Sequence, residues 1–316
     1  MKKPLIILTG PTAVGKTKLS LSLAKDVKGS VISADSMQVY RGMDIGSAKI
    51  KPEQMQGIPH YLIDTIDPRE EFHVARFQEM AKEAMEEIYE MGRIPILTGG
   101  TGFYIQAVLY DIDFTKEEED TSYRSELEAL AKEQGADALH GLLRQVDEEA
   151  AKSIHANNVK RVIRALEYHH LTGQKISEHN RQQRQKESPY AFCYFVLSDR
   201  RDKLYRAINF RVDQMMEEGL LEEVKALQQA GLSRNMVSMQ GLGYKELLSY
   251  LEGERTLEEA VSLIKQDTRH FAKRQLTWFR RERDVIWLDK QEFGYDHHKI
   301  LDYMKQKMTE AGINLP

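Results

Sequence analysis

The segment Gly10-Pro11-Thr12-Ala13-Val14-Gly15-Lys16-Thr17 sets four residues between two glycines and follows the second with Lys-Thr. Glycines allow a tight turn and close backbone approach, so that N–H groups at the start of a helix converge on phosphate oxygens. In such a loop Lys16 reaches the outer phosphate and the Thr17 hydroxyl is placed to ligate Mg2+. ATP and GTP are the usual occupants, but any pyrophosphate satisfies the same donors.

Two further residues have types suited to chemistry on that phosphate. Asp35 ends the apolar run Val31-Ile32-Ser33-Ala34. In a parallel sheet the carboxyl ends of neighbouring strands line the ligand crevice, so Asp35 shares an edge with Lys16. There it could ligate a metal, accept a proton or cap the next turn. Arg211 lies three residues after Ile208 and four before Met215, within an apolar helical stripe that also contains Leu204. An arginine on a buried face needs an anionic partner, which is either a structural carboxylate or a bound phosphate.

The elements that must hold these residues alternate strand and helix. Residues 5–8 form a continuous apolar run, as expected of a buried parallel strand. The phosphate loop and a helix through Lys25 follow. Strands are expected at 31–33, 60–66 and 94–97, with a helix over 75–91 closed by Gly92. This rhythm predicts an α/β fold: a P-loop NTPase-like parallel sheet core with helices on both faces. The charge then changes character. Residues 111–150 carry thirteen acidic and four basic side chains, and residues 160–211 carry twelve Lys/Arg and five Asp/Glu. A helical insertion over 111–189 is the simplest reading, with the core formed by 1–110 and 190–316. A strand at 191–197, helices from Lys203 and over 257–281, a strand at 285–288 and a final helix complete the core.

Of 316 residues 41% are hydrophobic, enough for one large domain and a smaller one, and the net charge is −4. A nucleic-acid partner would therefore have to be served by a local basic patch. Cys193 is the sole cysteine, which excludes an internal disulfide and a Cys-based zinc site. The basic start is two lysines long, the apolar run after it is too short for a signal peptide, and no stretch of about 18 apolar residues occurs. The expected setting is the cytoplasm, without membrane contact, as a monomer. Among the histidines, His60, His73, His155, His169 and His170 lack metal spacing. Asp64, after Tyr61-Leu62-Ile63, has the position of a strand-end carboxylate that could help place Mg2+.

Several segments together resemble the tRNA dimethylallyltransferases (tRNA isopentenyltransferases). Besides residues 10–17 these are Asp35-Ser36-Met37-Gln38-Val39-Tyr40, Asp44-Ile45-Gly46-Ser47-Ala48-Lys49, Gly57-Ile58-Pro59-His60-Tyr61-Leu62-Ile63-Asp64 and Gly99-Gly100-Thr101-Gly102-Phe103-Tyr104. Further on come Lys160-Arg161-Val162-Ile163-Arg164-Ala165-Leu166-Glu167, Met239-Gln240-Gly241-Leu242-Gly243-Tyr244-Lys245-Glu246 and the segment from Thr268 through Arg280. The resemblance spans nearly the whole chain. The 35–40 and 273–280 segments are far more specific than the phosphate loop. Val14 departs from a common serine at a position that works through its backbone.

The resemblance implies transfer of a dimethylallyl group from its diphosphate to N6 of the adenosine immediately 3′ of the anticodon, at position 37. The loop then binds a prenyl diphosphate through Gly10, Thr12, Ala13, Val14, Gly15, Lys16 and Thr17, with Thr17 toward Mg2+. Asp35 takes the role of general base for the adenine amine. Contacts to the tRNA anticodon stem-loop are implied for Asp35, Ser36, Met37, Gln38, Thr101 and Arg124. They are also implied for Lys160, Arg161, Val162, Ile163, Arg164, Gln240, Gly241, Leu242, Gly243, Tyr244 and Lys245.

Elementary chemistry asks for the same parts: a departing diphosphate needs Mg2+, a lysine, an arginine and N–H donors, and Arg211 supplies the arginine that the loop lacks. On the 160–168 helix Val162 and Leu166 share one face, with Lys160, Arg161, Arg164 and Tyr168 on the other, a pattern suited to a phosphate backbone. Lys273 and Arg274 are read in the same way, with Phe271, Trp278 and Phe279 mostly in the core. Gln38 and Tyr40 are candidates to hold the target base. Two rivals stay open at this level. A P-loop small-molecule or nucleotide kinase explains the loop and Mg2+ but not the basic helices, and a non-catalytic nucleic-acid-binding NTPase gives Asp35 no task.

Overall fold

The computed structural model describes residues 2–114 and 121–315. Residues 115–120, inside the expected insertion, lie outside the described residues. Six parallel strands form one sheet in the order β3-β2-β4-β1-β5-β6. They are β1 (Lys3–Thr9), β2 (Gly29–Ala34), β3 (His60–Tyr61), β4 (Ile94–Gly99), β5 (Tyr190–Ser198) and β6 (Val285–Asp289). The central position of β1 explains its unbroken apolar run: Leu5, Ile6, Ile7 and Leu8 are fully buried. This is the expected α/β architecture.

The helices of the sheet unit are α1 (Lys16–Asp26), α2 (Val74–Glu90) and α3 (Gly102–Leu109), then, beyond an intervening helical segment, α9 (Arg201–Glu217), α10 (Leu220–Gln229), α11 (Tyr244–Leu251), α12 (Leu257–Phe279) and α13 (His297–Glu310). The chain divides into two compact units, one from Met1–Leu109 and Pro189–Pro316, the other from Tyr110–Ser188. The second contains α4 (Thr121–Gln134), α5 (Ala136–Val146), α6 (Glu148–Ser153), α7 (Val159–Thr172) and α8 (Ile176–Gln185). It has its own apolar core, in which Leu127, Leu139, Leu143, Val162, Ile163 and Leu166 meet. Among the described residues no helix is long and apolar enough to cross a membrane.

One sequence expectation fails in detail. The 60–66 run pairs as a strand only at His60–Tyr61, plus a single bridge between Tyr40 and Ile66. Leu62 and Asp64 take positive φ values of 60° and 55°, a conformation that breaks a ladder and is costly for a leucine. The long helix expected from Lys203 ends at Glu217, and the chain then starts α10 after Gly219 (φ 101°) and α11 after Gly243 (φ 92°).

Candidate functional site

The phosphate loop joins the end of β1 to α1. Gly15, with φ of 102°, stands at the N-cap of α1 without a side-chain cap, so the first N–H groups of that helix are left for a ligand. Ala13 adopts φ of 62°. Val14 turns its side chain into the core, and its carbonyl accepts a 3.3 Å hydrogen bond from Lys290. Thr17 is exposed at the helix start. Lys16 is folded back onto the loop, donating to the carbonyls of Gly10 at 2.9 Å and Pro11 at 2.8 Å. Burial, helped by the Arg211 guanidinium and opposed by Asp35, lowers the Lys16 pKa to about 7. Arg211 is lowered too, chiefly by burial, with Asp35 and then Glu218 opposing. Lys16 thus feels both Arg211 and Asp35, and Arg211 feels Asp35, although the three come from the loop after β1, the turn after β2 and α9.

Asp35 and Arg211 line a cavity of about 440 Å3 in the sheet unit, a size suited to a small organic ligand, whereas Lys16 stays folded on its own loop and is not part of that lining. Thr12, Asp35, Ser36 and Met37 line it from the strand ends, with Thr101 after β4. Gln240, Gly241, Leu242, Gly243 and Lys245 line it from the turn before α11 and its first residues, and Arg274 from α12. The stripe on α9 is real: Leu204, Ile208 and Val212 are buried, and Ile208, Arg211, Val212 and Met215 face the cavity. Asp35 serves its local turn as well, since its Oδ1 accepts the Met37 N–H at 2.9 Å.

Several implied contacts meet physical obstacles. Tyr244 is fully buried and its hydroxyl donates to Glu223 at 2.7 Å, so its side chain is unavailable to RNA. Val162 and Ile163 point into the helical core, and Tyr168, expected on the basic face, is buried beside His179 with ring centroids 5.1 Å apart. Arg124 is committed to Glu167, which it grips at 2.7 and 3.1 Å. The Gln38 amide works inside its own loop, accepting from Ser33 at 2.9 Å and donating toward the Ser47 and Ala48 carbonyls at 3.4 Å. Tyr40, by contrast, is buried edge-on against Phe72 and both line the cavity. Asp64 pairs with the buried Lys49 instead of facing the cavity. Exposed cations remain where the helical pattern put them, at Lys160, Arg161 and Arg164 on α7 and at Lys273 and Arg274 on α12. Among the described residues no group of three or more His, Cys, Asp or Glu side chains is placed to hold a metal ion.

The sequence reading missed Glu223. Its carboxylate accepts the backbone N–H groups of Asp44, Ile45 and Gly46 at 3.0, 2.8 and 3.2 Å and ties that loop to α10 and α11. No local signal marks it, because its partners lie 177 to 179 positions away.

A phosphate loop opening beside a pocket that gathers a lysine, an arginine and a carboxylate at the carboxyl edge of a parallel sheet defines a P-loop α/β enzyme. Comparison with known proteins narrows this class. The family model for IPP transferase matches residues 38–282. A tRNA dimethylallyltransferase of Lachnoclostridium phytofermentans is 60% identical over 311 residues, covering 98% of this chain and 99% of that protein. One from Acetivibrio thermocellus is 48% identical, with 98% and 99% covered. Among solved structures, the full-length tRNA isopentenylpyrophosphate transferase of Bacillus halodurans gives a TM-score of 0.74 at 47% identity, covering 99% of this chain and 98% of that one. A eukaryotic dimethylallyltransferase captured acting on tRNA gives 0.79 at 31% identity, covering 91% and 74%. The chain belongs to the IPP transferase family, the tRNA dimethylallyltransferases.

Proposed function

We propose that this chain transfers the dimethylallyl group of dimethylallyl diphosphate to N6 of adenosine 37 in the anticodon stem-loop of tRNA, releasing diphosphate. The observation that carries this reading is that Asp35, the buried Arg211 and the phosphate-loop residue Thr12 line one cavity, with Lys16 a short step along the same loop. A carboxylate facing two cations suits a reaction in which a proton leaves one partner while negative charge grows on the other.

In this reading the diphosphate lies on the N-terminus of α1, where Lys16 exchanges its two carbonyl partners for phosphate oxygens. Arg211 approaches from α9. The prenyl carbons pack against Ile208, Val212 and Met215. The adenine leaves its stack in the anticodon loop, as base-modifying chemistry requires. Its N6 lone pair attacks C1 of the dimethylallyl group, the C1–O bond breaks with its electron pair passing to the diphosphate, and Asp35 takes the N6 proton. Mg2+ is commonly held by one or two protein oxygens, substrate phosphates and water, and the exposed Thr17 hydroxyl at the start of α1 fits that role. When bound, the metal neutralises charge on the departing diphosphate. Lys160, Arg161, Arg164, Lys273 and Arg274 would meet tRNA phosphates.

The test is incubation with labelled dimethylallyl diphosphate and unmodified tRNA, in parallel with labelled ATP. Label in the tRNA supports prenyl transfer. ATP turnover without prenyl transfer would return the site to the kinase class.

A further inference from the structure

Helix α12 carries a glutamine where its packing calls for an apolar residue. Gln275 lies three residues after the buried Ala272 and four before the buried Phe279, and is itself buried. A polar side chain in such a stripe is informative, because leaving its amide unpaired there would be costly. Both ends are used. Oε1 accepts the backbone N–H of Thr12 at 2.9 Å, and Nε2 donates to the carbonyl of Gly100 at 3.0 Å. The two partners lie 263 and 175 positions away in the chain. Gly100 has to be glycine for this contact, since a Cβ there would overlap the Gln275 amide.

These bonds reach both sides of the pocket. Thr12 lines it from the phosphate loop, and Thr101, which follows Gly100, lines it from the β4 end. The Thr101 N–H continues the chain of bonds to the carbonyl of Ala34 at 3.2 Å, immediately before Asp35. The helix that bears Gln275 supplies Thr268, Phe271 and Arg274 to the same pocket.

We infer that Gln275 is a positioning residue: its amide clamps the phosphate loop and the turn after β4 onto α12, and so sets the placement of Thr12 relative to Thr101 and Asp35. The clamp deepens the prenyl-transfer reading and rests on it for its kinetic consequence. It also occupies the Thr12 N–H, which leaves the amides of residues 13–17 as the diphosphate cradle.

Two substitutions separate the clamp from simple packing. Gln275→Met keeps the volume and removes both hydrogen bonds. Gln275→Glu keeps the acceptor for Thr12 and removes the donor to Gly100. The first readout is amide hydrogen exchange in the full-length, ligand-free protein, with Ile6, Ile7 and Leu8 of β1 as the internal control. The Thr12 amide should exchange at least tenfold faster in Gln275→Met, stay slow in Gln275→Glu, and the β1 amides should not change. Equal Thr12 exchange in wild type and Gln275→Met would overturn the clamp, whatever reaction the protein performs. The second readout is steady-state prenyl transfer, in which Gln275→Met should raise KM for dimethylallyl diphosphate about tenfold while tRNA binding stays within twofold. Faster Thr12 exchange with an unchanged KM would overturn the positioning role. A wild-type protein that transfers no label to tRNA would refute the proposed reaction and leave the exchange result standing.

Discussion

The Tyr244 hydroxyl donates a 2.7 Å hydrogen bond to the Glu223 carboxylate, and the same carboxylate accepts the 44–46 backbone N–H groups. The tyrosine is therefore a support for the pocket wall. Tyr244→Phe removes one hydrogen bond to a charged group, a loss of about 1.5–3 kcal/mol, without opening a cavity. Chemical denaturation should show a loss of that order with tRNA affinity within twofold of wild type. Glu223→Ala leaves three backbone donors unpaired, and should lower both stability and turnover. A Tyr244→Phe protein of wild-type stability that no longer binds tRNA would put the hydroxyl on RNA after all.

In the helical unit, Arg124 holds Glu167, whose side chain is 5% exposed. Arg124 is itself 35% exposed, so stranding the Glu167 carboxylate costs less than the roughly 3–5 kcal/mol of a fully buried pair, and an apolar replacement of both partners is often neutral. Arg124→Met should therefore destabilise the protein, and the double change with Glu167→Met should restore most of the stability and keep tRNA affinity. A double variant that is stable yet deficient in tRNA binding would show that Arg124 contacts the RNA.

Asp147 ties α6 to α8. Its side chain accepts N–H groups from Ala150 and Ser177, each at 2.9 Å. Burial works to raise its pKa, but these two hydrogen bonds, with Lys175 assisting, outweigh burial and hold it below the ordinary aspartate value. A depressed carboxylate pKa contributes stability above the unfolded value, near 3.9, and that stability disappears as pH falls through the folded value. Asp147→Asn should lower the melting temperature at pH 7, with the gap to wild type shrinking below about pH 4. A gap that is constant down to pH 3 would contradict the assignment.

The exposed cations on α7 give a separate expectation. Neutralising Lys160, Arg161 and Arg164 together should weaken tRNA binding and flatten its dependence on salt, by about 0.7–0.9 in the log–log slope for each phosphate that these side chains no longer neutralise. Fluorescence anisotropy across a salt series measures this. An unchanged slope would remove α7 from the RNA surface.

Much of this was legible in the sequence because the informative signals were local. The phosphate loop sits between an apolar run and a helix, so motif and context agree, and the parallel α/β core follows from the same rhythm. Arg211 stood out because one helical stripe held it among Leu204, Ile208 and Met215. What could not be read depends on partners remote in the chain. Nothing near Gln275 announces Thr12 or Gly100, and nothing near Glu223 announces the 44–46 loop. Tyr244, Arg124 and Tyr168 looked like surface groups for the same reason: their partners Glu223, Glu167 and His179 are met only after folding. The 60–66 run failed differently, since its β-like composition yields to positive φ at Leu62 and Asp64.

The central claim is that Asp35 accepts the N6 proton while Lys16 and Arg211 stabilise the leaving diphosphate. Single-turnover transfer of labelled dimethylallyl to tRNA measures it most directly, with wild type, Asp35→Asn and Arg211→Ala compared at saturating tRNA. Removal of the general base should slow the chemical step about 10²–10⁴-fold in Asp35→Asn with donor affinity little changed, whereas Arg211→Ala should weaken donor use while the fold stays intact. An Asp35→Asn protein that transfers label at near the wild-type rate would contradict the account.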